Sequence, residues 1–153
     1  MLTENDVVDA VSEYLKQRGF QIIQTCSTKQ RGVDIVAEYP ATKEKLLVEA
    51  KGGTSSKAGT ANFGKPFTLN QVKTHVSVAF YHAAMLLQKH SNEPVRIALA
   101  FPDDELHHRR VKSIASVLGA LGIIVFFVDS MRQVTGNLDA NQNYSSPNVP
   151  EPL

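Results

Sequence analysis

Apolar residues of the first eighteen positions recur with helical spacing: Val7, Val8, Val11, Tyr14 and Leu15 line one side of a helix predicted over residues 4–18. Thr3 and Asp6 stand at capping-box spacing, with Asp in the place usually held by Glu, and Gly19 supplies the stop. The pattern then turns to short apolar runs broken by polar turns. Residues 20–25 (FQIIQT), 33–39 and 44–51 read as three strands, the last two joined around Pro40 to Lys43. A stretch rich in Gly, Ser and Thr, 52–66, follows as a loop long enough to suggest a functional role. Helical spacing resumes from Thr68 to Lys89, with Val72, Val76, Ala79, Phe80, Ala83 and Leu87 inward. A strand over 95–101 leads to a third helix, capped by Asp103 or Asp104. This helix turns Val111, Ile114, Ala115, Leu118 and Leu121 inward and ends at Gly122. Residues 123–128 (IIVFFV) form a strand apolar on both faces.

The order α-β-β-β-α-β-α-β places an antiparallel meander before a βαβ crossover. It predicts an α/β fold with a mixed central sheet flanked by helices. One domain over residues 1–134 is expected, followed by a flexible C-terminal tail, 135–153, polar and rich in proline.

The hairpin carries the chemistry. A symmetric turn between Ala41 and Thr42 sets Glu38 opposite Lys45 and Asp34 opposite Glu49. Directly opposed residues of an antiparallel pair share a face, with β-carbons roughly 5 Å apart. Lys51, two residues beyond Glu49, shares it too. Val33, Ile35, Ala37, Leu46, Val48 and Ala50 then make an apolar opposite face, while Val36 and Leu47 join the charged one. Two carboxylates so placed repel unless a cation lies between them. Lys51 relieves part of that repulsion, and Mg²⁺ relieves more, with Mn²⁺ as a substitute. Such an ion activates water and polarises a phosphoryl oxygen, and Lys51 would orient the water or balance charge on the phosphate. The same three residues also read as a surface ion pair, with Lys51 blunting a strand edge.

Bulk numbers set limits around this. The formal net charge is only +1, so a case for nucleic acid rests on local arrangement. Cys26 is the single cysteine and reads as a small buried residue, which rules out an internal disulfide framework and a cysteine-based zinc site. The opening MLTENDVV is unlike a signal peptide, and no apolar run approaches the roughly 20 residues that span a bilayer. A cytoplasmic location, with no membrane, is the expectation. No nucleophile elbow, phosphate-binding loop, dinucleotide fingerprint or zinc spacing occurs.

Helix, strand, strand with Val33-Asp34, strand with Glu49-Ala50-Lys51, helix and strand, opened by YLKQRGFQII, together resemble the PD-(D/E)xK nuclease superfamily. The resemblance covers residues 4–128 and points to its Holliday-junction-resolvase-like or restriction-type branches. Val33 stands where the pattern has proline. The resemblance implies a restriction-endonuclease-like fold. It also implies Asp34 and Glu49 as metal ligands, the Ala50 carbonyl as a further ligand, and Lys51 as catalytic. A first-helix Glu often completes such a site. Glu4 is the candidate ahead of Glu13, and Glu4 also reads as an acid favoured at a helix N-terminus. Gln71 matches a site residue early in the second helix, and it also closes a capping box with Thr68.

Lys57, Lys65 and Lys73 on or after the glycine-rich loop, and Lys29 and Arg31 before the Asp34 strand, are candidate nucleic-acid contacts. Each also reads as a solubilising charge. His75 and His82, seven apart, read as surface or partly buried residues, and His107 to Arg110 (HHRR) as a solvated basic face. The implied function is Mg²⁺-dependent endonuclease cleavage of DNA, the alternative an inactive nuclease-fold subunit that binds DNA or acts as a scaffold. A domain this small has little room for a separate reader, so specificity would call for a homodimer or a partner subunit.

Overall fold

The computed structural model describes residues 1–27, 31–55 and 57–138. Helix α1 is Glu4–Gln17, followed by strands β1 (Gln21–Thr25), β2 (Ile35–Glu38) and β3 (Lys45–Ala50). Helix α2 (Leu69–Lys89) leads to β4 (Val95–Pro102), helices α3 (Glu105–Lys112) and α4 (Ala115–Ala120), and strands β5 (Ile124–Val128) and β6 (Val134–Gly136). Among the described residues the strands form a six-stranded sheet in the order β1-β2-β3-β4-β5-β6. The first three are an antiparallel meander, β3, β4 and β5 are parallel, and β6 returns antiparallel to β5. This is the expected mixed α/β architecture, with helices on both faces.

Strand alternation decides which face each residue serves. Ile35, Ala37, Leu46, Val48 and Ala50 pack with Val7, Val11 and Leu15 of α1. Leu47 points the other way, into a second cluster with Val72, Val76, Ala79 and Ala83 of α2. Val33, expected on the α1 side, packs against this second cluster, because regular pairing begins only at Ile35.

Both major helices begin as their capping boxes require. Thr3 Oγ1 accepts from the Asp6 amide while Asp6 Oδ2 accepts from the Thr3 amide. Thr68 and Gln71 make the same exchange at the start of α2. The expected third helix is instead two, α3 and α4, interrupted at Ser113 and Ile114. The break rotates α4, so Ala115 and Leu121, expected inward, are exposed, while Val111 and Leu118 stay buried. His107, expected on a solvated face, is fully buried. It stacks on Phe101 and places Nδ1 2.7 Å from Asp104 Oδ2.

The ordered chain continues past position 134. β6 takes in Thr135 and Gly136, and Leu138 is buried, its carbonyl accepting from Arg96 Nη2 at 2.7 Å. The rest of the expected tail, from 139, lies outside the described residues. No described helix is long and apolar enough to cross a membrane.

Candidate active site

The β2–β3 hairpin has the register expected from its turn. Glu38 pairs with Lys45 and Ile35 with Val48, so the next position on each strand puts Asp34 against Glu49. Asp34 sits just ahead of β2, where Oδ2 accepts a 2.7 Å hydrogen bond from the Ala50 amide. That bond crosses the hairpin and fixes the Asp34 carboxylate at the end of β3. Glu49, inside β3, is only 6% exposed. Its Oε1 receives two side chains: Lys51 Nζ at 2.8 Å and His82 Nδ1, from α2, also at 2.8 Å. Lys51 is held by its own amide, which donates to the Ala100 carbonyl of β4.

Glu4 reaches this corner from the other layer. Gly52 is buried against the start of α1, and a β-carbon there would lie 2.7 Å from the Thr3 carbonyl carbon and closer still to the Glu4 nitrogen. The absence of a side chain lets α1 dock beside the end of β3. Immediately afterwards the Gly53 carbonyl accepts from the Phe67 amide, which brings in the start of α2. The positive ends of both helices therefore flank the same cleft. This cleft has a volume of about 380 Å³, and Glu4, Gly52, Lys57, Asn62, Gln71 and His75 are among the residues that line it.

The electrostatics follow from gathering these groups away from water. Burial pushes the Asp34 carboxyl up to about 6; the Ala50 amide opposes the rise, and Glu49 adds to it. Burial also raises Glu4, with Lys51 opposing and Glu49 reinforcing. For Lys51, burial favours the neutral amine, but the Glu49 hydrogen bond and surrounding carboxylates outweigh it and hold the ammonium above its ordinary value. Burial lowers His75, and the Lys51 charge lowers it further.

The donor chemistry suits a hard divalent cation: two opposed carboxylates, one with a raised pKa that a cation would relieve. Asp34 and Glu49 are the pair brought together. Among the described residues no three His, Cys, Asp or Glu side chains converge closely enough to hold a metal ion, so Glu4 is near this pair without completing a triad with it.

Gln71 lines the cleft while its Oε1 caps α2, as its capping-box reading expects. Lys57 lines the cleft, and Lys65 is exposed in the same loop. Lys73 is exposed about 200° around α2 from Gln71. Arg31 is exposed ahead of Asp34, and Lys29 lies outside the described residues. Glu13 is exposed and accepts from Gln17, away from the corner. The residue that sequence reasoning passed over is His82. Its signal was a shared helical face with Gln71 and His75, eleven and seven residues before it.

Residues 2–65 match the Mrr_cat family model, described as a restriction endonuclease. The matched family is one of the PD-(D/E)xK restriction-endonuclease-like superfamily. The matched segment is less than half of the chain, and it contains Glu4, Asp34, Glu49, Ala50 and Lys51. The six-stranded mixed sheet flanked by helices is consistent with the superfamily's fold. Gln71, His75 and His82 lie beyond the matched segment and join it only through the packing of α2. No curated protein and no solved structure matches the chain.

Proposed function

We propose that this chain is a divalent-metal-dependent endonuclease that hydrolyses phosphodiester bonds in DNA. One observation carries the reading: Asp34 and Glu49 face each other at the end of a hairpin, with Lys51 Nζ 2.8 Å from Glu49, inside the segment that matches a restriction endonuclease family. In this reading Asp34 and Glu49 hold the ion, with the Ala50 carbonyl as a further oxygen donor; Glu4, which completes no triad with the pair in this structure, would have to swing toward them to join. Mg²⁺ or Mn²⁺ bound there would supply a water of lowered pKa and polarise the phosphoryl oxygen.

The chain's own residues do the rest. The Ala50 amide keeps Asp34 oriented, and the Lys51 ammonium, raised and held at the corner, positions the attacking water and offsets charge growing on the phosphate. The water oxygen bonds to phosphorus as the opposite P–O ester bond breaks. The water's proton leaves to solvent and the departing oxygen takes one up. Gln71 and Lys57 line the cleft, and in this reading they hold the strand. Arg31, Lys65, Lys73 and Lys29 serve as outlying phosphate contacts, with a second copy or a partner subunit supplying any sequence reading.

The test is a cleavage panel of DNA and RNA of different shapes with Mg²⁺ or Mn²⁺. Asp34→Ala and Lys51→Ala abolish cutting and keep the circular dichroism of the parent. If both variants cut as fast as the parent, the assignment is wrong.

The second reading is an inactive subunit that binds DNA or acts as a scaffold. The engagement of Glu49 Oε1 by His82 in addition to Lys51 favours it, since it leaves one oxygen fewer open to a metal. Calorimetric titration separates the two: Mn²⁺ binding that Asp34→Ala removes supports the enzyme, and no Mn²⁺ binding supports the inactive subunit.

A further inference from the structure

The glycine-rich loop carries a side chain that neither the fold nor the proposed chemistry uses. Phe63 is 51% exposed and belongs to neither hydrophobic cluster. Burying a ring of this size is among the larger gains available to a small domain, so an idle exposed phenyl group is costly to leave in water. The loop nevertheless holds it in place. The backbone of Phe63 bridges to Ser55, and its amide donates to the Thr60 carbonyl at 3.1 Å. Thr60 Oγ1 donates to the Lys57 carbonyl at 2.9 Å, and the Lys65 amide donates to the Asn62 carbonyl. Gly59 and Gly64, with φ of +85° and +72°, make the reversals that present the ring outward.

Position and charge indicate what covers it. Ser55, the bridge partner of Phe63, and Asn62, its chain neighbour, both line the cleft that holds Glu4 and Gln71. Lys57 and Lys65, two residues from Ser55 and Phe63 respectively, are both exposed. An exposed aromatic ring beside a cleft, in a loop that also carries two exposed lysines, matches the needs of a nucleobase with its phosphates: a π-face to stack on and cations for the backbone.

We infer that Phe63 is a stacking platform for an unpaired base, so that the substrate is nucleic acid carrying a single-stranded segment. This deepens the nuclease reading and rests on it. In a duplex each base is already stacked on its neighbours. Driving a ring between them costs a few kcal/mol per step, which proteins recover by wrapping the bent duplex. A chain with a formal net charge of +1 has little basic surface for such wrapping. An unpaired base offers its face without that cost. Ser55 is four positions along the chain from Lys51 and so lies within about 14 Å of it. With Phe63 bridged to Ser55, the platform addresses a base a few nucleotides from the cleaved bond.

The chain contains no tryptophan, so Phe63→Trp introduces a single tryptophan where stacking is expected, excited beyond the absorption of the four tyrosines. The full chain is titrated, without divalent metal, with a single-stranded oligonucleotide, a duplex of the same sequence and a duplex with a single-stranded overhang. Single-stranded and overhang forms quench the Phe63→Trp emission to saturation, and blunt duplex does so far more weakly. In anisotropy measurements with the Phe63 parent, Phe63→Ala lowers single-strand affinity about tenfold, within the range for one stacked base, and lowers the ratio of single-strand to duplex affinity. Phe63→Tyr restores the ratio, whereas Phe63→Leu, equally apolar, does not.

Silent emission, or a ratio unchanged in Phe63→Ala while Asp34→Ala and Lys51→Ala still abolish cutting, overturns the platform and leaves the nuclease reading standing. Absence of both binding and cutting on every substrate overturns both.

Discussion

His82 Nδ1 and Glu49 Oε1 lie 2.8 Å apart, although the two residues are separated by 33 positions and sit in different layers. The contact ties α2 to the carboxylate at the centre of the site. It leaves Glu49 Oε2 as the oxygen not engaged by either His82 or Lys51. Partners of this kind orient a ligand and typically change metal affinity or activity by about 10- to 100-fold. His82→Ala is therefore expected to lower the cleavage rate by that factor and weaken Mn²⁺ binding, while the circular dichroism spectrum stays unchanged. His82→Asn, which keeps a donor on a shorter side chain, should recover part of both. Unchanged rate and affinity in His82→Ala would make the contact incidental.

Asp34 makes the metal-free protein sensitive to pH. Its folded pKa of about 6 lies above the ordinary 3.8, so the folded state binds the proton more tightly than the unfolded chain does. Its contribution to stability is then full below the ordinary value and is lost as pH rises through about 6. Asp34→Asn cannot ionise and still offers an oxygen to the Ala50 amide. In EDTA at pH 8 this variant should melt above the parent, by about 2–4 °C for each kcal/mol relieved, and the gap should close near pH 4. A gap that stays constant with pH would contradict the assigned cause.

The same proton competes with a metal. Mn²⁺ affinity of the parent should fall by up to about tenfold per pH unit below about 6, as Asp34 takes up its proton. Calorimetric titrations across this range read it directly. Affinity independent of pH would show that Asp34 is not a ligand.

Gly52 is the point where α1 meets the end of β3, and a methyl group there would collide with the Thr3–Glu4 backbone. Gly52→Ala should destabilise by about 1–3 kcal/mol, the usual cost of forced overpacking, visible as a lower urea midpoint. Because the collision pushes Glu4 away from the corner, residual activity should fall even at temperatures where the variant remains folded. Wild-type stability in this variant would mean that the two segments do not pack as closely as described.

Leu138 is buried in the α1-side cluster, and its carbonyl is bound by Arg96. Leu138→Ala should cost about 2–5 kcal/mol, the range for a buried leucine truncated in a core. A chain ended at position 134 should lose more, since it also gives up the remainder of β6. Urea denaturation of the two variants provides the comparison.

Local chemistry made much of this protein legible before any packing was known. The alternation through Ile35 to Glu38 and Lys45 to Ala50, with a short turn between, admits one register that buries the apolar side, and that register opposes Asp34 and Glu49. The capping pairs Thr3–Asp6 and Thr68–Gln71 mark both helix starts, because each is satisfied within one turn of chain. What needed the tertiary structure were the relations between distant segments. His82 meets Glu49 only because α2 lies across β3, and His107 is buried only because α3 docks on Phe101. Leu138 joins the core because Arg96 and β5 receive it, in a stretch whose own composition reads as tail. Periodicity records which side of an element is apolar; the partner that covers that side, and the charges it brings, depend on three-dimensional packing that no local pattern encodes.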